Sequence, residues 1–555
     1  MTAPDWSVRE RAGALGKAER EGVDLLIIGG GITGAGILRD AASRGLRALL
    51  VERGDFASGT SGRSTKLIHG GLRYIAQGQL GLTRESCRER DLLLRLNPHL
   101  VRPIPFLWPV FKNSKMPLWQ VRAGLFAYWG LAGFRSSARF RMLRPDQVRD
   151  YSQDLRRDGL RGAGFFHDGQ VDDARLVLET LVSARRFGGE AVNHAEVFEF
   201  LRGDEGRIVG ARVRDKESGA SRAIRAQVVV NAAGPAVERV RGLDRPVTRP
   251  ELRPAKGVHL VIPRKRIHCE GAIVFEARDG RHLCLIPWDE VALIGTTDSF
   301  SDQIDEPVVS IEEVHYMLSA ANDAFPRLAL TTNDIRCAFA GVRPLVADPD
   351  EESPSNAVSR EHKIYDDPSG LISVTGGKLT TYRIMAEGVV KLALGRLPEE
   401  RRAAAGPSLT ASRPLREEEI DVAELEAELE KRYGLAPHRA AHLVRTHGLD
   451  AEELLRAAEP DLLRPIGDTR YVYAEIPWCF RTECVVNLCD LLEHRMRLAL
   501  FAIGQGLPDL DEITRVAAAA AGWDSERAHE EAASYVSAVR TRYQIAPPPQ
   551  VQYAA

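Results

Sequence analysis

Residues 23–52, VDLLIIGGGITGAGILRDAASRGLRALLVE, restrict the fold more than any other stretch of the chain. Val23 to Ile28 is an apolar run that reads as a buried parallel strand. Gly29, Gly31 and Gly34 then form G-x-G-x-x-G, and a helix-compatible segment follows to Arg44. Gly45 breaks that helix, and Leu46 to Val51 reads as a second buried strand ending at Glu52. In such a unit the first glycine allows a tight turn. The second lets backbone approach a pyrophosphate, and the third lets helix and strand pack closely. The first residues of the helix, Ile32 and Thr33, lie where free N–H groups and the positive dipole end meet phosphate. Glu52 can accept hydrogen bonds from a ribose. The order of strand, turn, helix, strand and acid therefore predicts a dinucleotide site. The motif alone does not separate FAD from NAD.

The remaining composition limits what can surround this unit. With 44% hydrophobic and 27% charged residues the chain is an ordered globular protein, and 555 residues allow several domains. A formal net charge of −2 gives no global reason to expect nucleic acid. None of the seven cysteines forms a C-x-x-C pair, and Cys479, Cys484 and Cys489 recur every five residues, which spreads them around a helix. They read as core thiols, and no metal site is expected. No apolar run is long enough to span a bilayer. With no signal peptide apparent, the expected place is the reducing cytoplasm, with any membrane association peripheral.

After the dinucleotide unit, residues 56–74 (FASGTSGRSTKLIHGGLRY) crowd small residues and hydroxyls before a Gly70-Gly71 pair. Ser58, Ser61, Ser64 and Thr65 are placed to bond phosphate or flavin oxygens. The chain from Leu92 to Pro145 contains no Asp or Glu, and it mixes Lys112, Lys115 and Arg122 with Trp108, Trp119 and Phe126. Two readings stand: an interface with anionic lipid headgroups, or an internal helical hairpin whose arginines meet acids elsewhere. Gln227 to Gly234 (QVVVNAAG) is a second buried strand ending in small residues, Ala233 and Gly234 among them. Leu371 to Arg383 (LISVTGGKLTTYR) is a third, with Gly376, Gly377, Lys378, Leu379 and Thr380 at its turn. Strands far apart in sequence, each ending in a close backbone approach, favour FAD, which is long. Between them, alternation in Arg253–Ile262 and His282–Ile294 predicts antiparallel strands. Arg401 to Pro414 reads as a linker, and Ala, Leu, Glu and Arg dominate the helical region after it.

GGGITGAG followed by VERGDFASGTSGRSTKLIHGGLRY resembles the opening of the FAD-dependent glycerol-3-phosphate dehydrogenases. QVVVNAAGPA, KGVHLVI, LIPW with GTTD, FAGVRPL and GLISVTGGKLTTYR continue the family's order. The resemblance implies an α/β FAD-binding dinucleotide fold with an inserted antiparallel substrate domain and an all-α C-terminal domain. On that basis residues 1–22 are an arm, and 23–100, 160–245 and 355–398 form a discontinuous FAD domain. Residues 101–159 are a basic aromatic helical segment, 246–354 the substrate domain, 399–414 a linker, 415–546 the helical domain and 547–555 a tail.

The activity implied is oxidation of sn-glycerol 3-phosphate to dihydroxyacetone phosphate, with hydride passing to FAD and electrons to a membrane quinone. A dianionic phosphate needs fixed cations, and the planar fork of arginine suits it. Arg343 and Arg360 match family substrate positions, as do Arg73 and Tyr74 in the pocket lining. Lys378 and Lys66 fall among residues expected near the flavin, with Lys378 able to polarise a developing alkoxide. A base must take the hydroxyl proton; His259 is the candidate and His69 the runner-up. The alternatives are a glycerol-3-phosphate oxidase using oxygen, an amine or amino-acid oxidase of the same fold, and a flavin-carrying RNA-binding or adaptor protein. A homodimer is allowed but not specified.

Overall fold

The structure, a computed structural model, describes residues 5–76, 78–134, 140–346, 361–416 and 420–545. Strands are numbered in chain order. The first sheet holds β1 (Val23–Ile28), β2 (Ala48–Val51), β7 (Glu190–Val192), β8 (Ala195–Arg202), β9 (Ile208–Asp215), β10 (Ser221–Asn231), β17 (His362–Asp366) and β18 (Ile372–Gly376). Its path runs β17-β18-β10-β1-β2-β7, with β8 and β9 extending from β10. The four strands β18, β10, β1 and β2 are parallel. β1, β2, Val228–Asn231 of β10 and Ile372–Thr375 of β18 are buried on both faces, which is why these segments read as near-continuous apolar runs. Helices Ile32–Ser43, Asp173–Arg186 and Tyr382–Leu394 bring Ile37, Leu38, Leu178, Leu181, Val389 and Val390 into its core.

The second sheet holds β3 (Leu67–Ile68), β4 (Arg102–Phe111), β5 (Arg141–Leu143), β6 (Leu160–Gln170), β11 (Leu252–Pro263), β12 (Ala272–Glu276), β13 (His282–Trp288), β14 (Val291–Gly295), β15 (Ser299–Phe300) and β16 (Cys337–Val346). It is mainly antiparallel, in the order β15-β11-β14-β13-β12-β4-β6-β3, with β16 on β11 and β5 on β6. Helix Ile311–Ala324 packs Val314, Met317 and Leu318 under it. Ser310 and Glu313 close that helix's start by a reciprocal capping box.

Three expectations need correction here. Residues 101–159 are only partly helical: helices Leu118–Leu131 and Pro145–Tyr151 form, but β4 pairs with β6 over ten residues and joins β12, so the stretch also builds the second sheet. β6, read as part of the FAD domain, belongs to the same sheet. Pro103, Pro105 and Pro109 share one parity along β4, which leaves the even-numbered residues to carry the ladder to β6. Helical apolar spacing over Thr482–Leu500, within the region expected to be all-α, predicts one helix there, and it is not formed. It is broken into Glu475–Thr482, a wide turn of helix at Asp490–Arg495, and Leu498–Phe501, with Cys484 and Arg497 at positive φ between them.

The helical unit is bound to the cofactor fold through buried ions. Arg495 meets Asp55, Arg497 meets Asp173, and Arg175 meets Glu483, each pair largely sealed from solvent. Arg416, at the end of the linker, holds Glu179 at 2.6 Å.

Candidate active site

One cavity of about 1200 Å³ runs along the carboxyl ends of β1, β2, β10 and β18 and reaches β11 and β16 of the second sheet. The position follows from the fold: parallel strands end there, and the helix N-termini point into the crevice. Gly29 has φ +115°, and a Cβ on it would come within 2.6 Å of the Ala232 carbonyl of the neighbouring strand. A Cβ on Gly34 would lie 1.9 Å from the Gly29 carbonyl, so Gly34 serves helix–turn packing and does not line the cavity. Gly29, Gly31, Ile32 and Thr33 do line it. Ile32 N donates to Ser61 Oγ at 2.9 Å, which fastens the hydroxyl-rich loop to the helix start. Glu52 accepts from Gly30 N at 2.6 Å and from Gly54 N at 2.8 Å, holding its carboxylate in the cavity wall.

Ser58, Ala233, Gly234, Gly376, Gly377, Leu379 and Thr380 line the same space, as expected of a long ligand touching distant segments. Ser64 also reaches it, but its hydroxyl and N–H both donate to Asp173 Oδ2, at 2.7 and 2.8 Å. Lys66 is corrected: it is fully buried, off the cavity, with Nζ 2.6 Å from Asp173 and donating to the Gly62 carbonyl at 2.8 Å. An ammonium sealed from water needs a carboxylate, and Asp173 at the start of its helix supplies one. Burial and the neighbouring Arg497 lower Lys66 to about 8.

The substrate-side residues divide. Arg343, on β16, lines the cavity and is braced by Thr296 Oγ1 at 3.0 Å and Asp298 Oδ1 at 3.4 Å. Lys378 lines it too; its Nζ donates to Ser86 Oγ at 2.9 Å and lies 4.1 Å from the centroid of the Tyr74 ring. Tyr74 is buried beneath, in the short helix Leu72–Ala76. Arg73 is exposed and is not part of the lining; its charge is felt by His282 and Cys284. Arg360 lies outside the described residues.

His259 stands on β11, buried and stacked on Phe339 with ring centroids 4.9 Å apart. Its Nε2 is 3.0 Å from Thr65 Oγ1. Burial, then Arg343 and Lys66, push the imidazole down to about 3, so it is neutral. His69 lines the cavity, and its N–H donates to Thr380 Oγ1 at 3.1 Å.

Sequence reasoning missed the contribution of the helical unit. Glu493, His494 and Arg542 line the cavity, and Arg542 and Tyr543 both bond Glu493. Nothing in the local pattern of residues 490–543 marks them, because Glu493 meets Arg542 and Tyr543 about fifty residues on, and the cavity they line is built by strands hundreds of residues earlier. Asp55, His194 and Asp490 also bring ligand atoms within 4.8 Å of one another. Arg495 donates to both Asp55 oxygens and His194 pairs with Asp490, so the cluster is an ion-pair network with its positive charge built in.

The residues present fit FAD: a glycine turn at a helix N-terminus, an acid at the end of β2, and small residues at the ends of β10 and β18 lie along one elongated cavity. Residues 24–392 match the family model of FAD dependent oxidoreductases, and 409–528 match the C-terminal domain of alpha-glycerophosphate oxidase. The chain is 37% identical to a glycerol-3-phosphate dehydrogenase of Mycobacterium leprae, over 95% of this chain and 90% of that one. It is 35% identical to an aerobic glycerol-3-phosphate dehydrogenase of Staphylococcus haemolyticus, over 88% and 89%. The crystal structure of the Bacillus halodurans glycerol-3-phosphate dehydrogenase complexed with FAD superposes with a TM-score of 0.80 at 30% identity, covering 98% of this chain and all of that one. Cavity, fold and relatives agree, and the chain belongs to the FAD-dependent glycerol-3-phosphate dehydrogenase family.

Proposed function

We propose that the protein oxidises sn-glycerol 3-phosphate to dihydroxyacetone phosphate and that its electrons leave to a membrane quinone. The observation that carries the reading is the convergence of Arg343, Lys378 and His259 on the cavity that also follows the glycine turn. FAD, when bound, supplies the hydride acceptor for C2. Arg343 binds the substrate phosphate, with Arg360 the second cation by family position. Lys378, held by Ser86 and Tyr74, faces the C2 oxygen and favours its developing negative charge. His259, neutral because burial, Arg343 and Lys66 push it down to about 3, is the group that accepts the hydroxyl proton, and Thr65 Oγ1 at 3.0 Å from Nε2 orients its ring.

The membrane reading rests on helix Leu118–Leu131 and its flanks. Trp119, Phe126 and Phe134 are 68%, 55% and 57% exposed, beside exposed Lys112, Lys115 and Arg122. Aromatic rings among cations suit an anionic lipid surface. Among the described residues no helix is long and apolar enough to cross a membrane, so the association proposed is peripheral, on the inner face of the cell membrane.

The test is anaerobic addition of sn-glycerol 3-phosphate to the holoprotein while following flavin absorbance. Bleaching with this substrate and not with glycerol supports the reading; a flavin that stays oxidised sinks it. Re-oxidation in air with stoichiometric peroxide, faster than with a soluble quinone, would replace the quinone by oxygen.

A further inference from the structure

Arg63 lines the cavity between its two phosphate-seeking regions. It lies two residues after Ser61, whose hydroxyl holds the start of helix Ile32–Ser43. That loop therefore carries Arg63 past the end of the helix that favours anions. On the other side its main chain lies against β16. A Cβ on Gly341 would come within 2.5 Å of the Arg63 carbonyl and 2.9 Å of the Arg63 Cβ. Arg343 is two residues further along the same strand. From the helical unit, His494 and Tyr543 both feel the Arg63 charge.

The Arg63 side chain is half-buried, and among the described residues it makes no hydrogen bond or ion pair. Most arginines in this molecule's interior are matched by acids: Arg495 by Asp55, Arg416 by Glu179, Arg383 by Glu89. A half-buried cation facing a ligand cavity without a carboxylate is instead matched by charge on the ligand. Guanidinium is suited to phosphate because its fork binds two oxygens at once.

We propose that Arg63 is a phosphate-binding residue of this cavity. The inference rests on the reading of the site given above. Two phosphate sources are at hand, the pyrophosphate of the dinucleotide and the phosphate of the substrate. The full-length holoprotein and its Arg63→Gln variant separate them. FAD release is followed by the rise of free-flavin fluorescence on dilution, and the KM for sn-glycerol 3-phosphate is measured alongside. A rise of about tenfold or more is expected in at least one arm, from loss of a charge-assisted hydrogen bond. A change in FAD release assigns Arg63 to the pyrophosphate, and a change in KM assigns it to the substrate. Both quantities within twofold of wild type, at an unchanged melting temperature, overturn the proposal. Arg63→Met, which keeps the packing of the stem, carries the same test if the glutamine variant does not fold. A wild-type holoprotein that fails to bleach with this substrate sinks the substrate reading and leaves the FAD-release arm intact, so the two failures are distinguishable.

Discussion

The Lys378 ammonium is held from two sides, by the face of the Tyr74 ring at 4.1 Å and by Ser86 Oγ at 2.9 Å. The ring acts through its face, and its hydroxyl is not part of that contact. Tyr74→Phe is therefore expected to keep kcat/KM within about threefold. Tyr74→Ala is expected to lower it by about threefold to thirtyfold, since a cation–π contact is worth about 0.5–2 kcal/mol. Lys378→Met should slow flavin bleaching by about a hundredfold, the usual scale for one preorganised electrostatic contact. Stopped-flow bleaching checks all three, and equal losses for Phe and Ala would discard the ring-face account.

His259 is held down to about 3 by burial, Arg343 and Lys66. It is already neutral at pH 5, so its own titration cannot give kcat/KM an acid limb near 6.5. The profile is expected to stay flat through that region for the wild type. A limb near 6.5 that disappears in His69→Gln and persists in His259→Gln would move the proton-accepting role to His69.

His194 has the opposite sign. Burial lowers it, but Asp490 at 3.0 Å and Asp55 outweigh burial and raise it to about 9. The stabilisation is present in full below the unfolded value of about 6.5 and is lost as pH rises through about 9, on the order of 3 kcal/mol. His194→Gln should melt well below wild type at pH 6, with the gap closing by pH 10. The depressed histidines act at the other end. His99, lowered to about 4 by burial, and His259 both favour the fold only while neutral, so stability falls as pH drops below about 6.5. Melting temperatures across pH 4 to 10 check both limbs, and a pH-independent gap would refute the His194 assignment.

Asp55 shows what the interface between the cofactor fold and the helical unit depends on. Burial would raise its carboxyl, yet Arg495 holds it down to about 2 through bonds of 2.5 and 2.9 Å. Arg495→Met leaves a buried carboxylate without its cation and should cost about 3–5 kcal/mol. Adding Asp55→Asn should recover part of that. Chemical denaturation of the three proteins gives the coupling; a double variant no better than the single would mean the two residues do not act as a pair.

The parallel strands were legible because β1 and β18 are apolar runs that end at glycines, β10 leads into small residues and β2 into an acid, and burial on both faces forces the apolar composition. β1 and β18 appear where the runs at Val23 and Leu371 place them. β4 was hidden by its three prolines and by aromatic residues that also suit a helix. Only the ten-residue pairing with β6, which depends on the fold, shows that the prolines avoid the ladder. In the site, the glycine turns and Lys378 announced themselves locally. Thr65 beside His259 and Arg495 beside Asp55 did not, since the partners are 194 and 440 residues apart. Lys66 misled for a related reason: a lysine in a loop of hydroxyls looks like a ligand cation until Asp173, 107 residues on, is seen against it.

The buried arginines of the helical unit make the two family regions inseparable as material. A fragment ending before the linker would keep Asp55, Asp173 and Glu179 inside the cofactor fold without Arg495, Arg497 and Arg416. It would also lose the wall of the cavity formed by Glu493, His494 and Arg542. A minimal catalytic fragment cannot be obtained by cutting this chain at its composition boundary: Asp173 and Glu179 would keep Lys66 and Arg175, but Asp55 would stay buried without its cation and would first have to be made neutral.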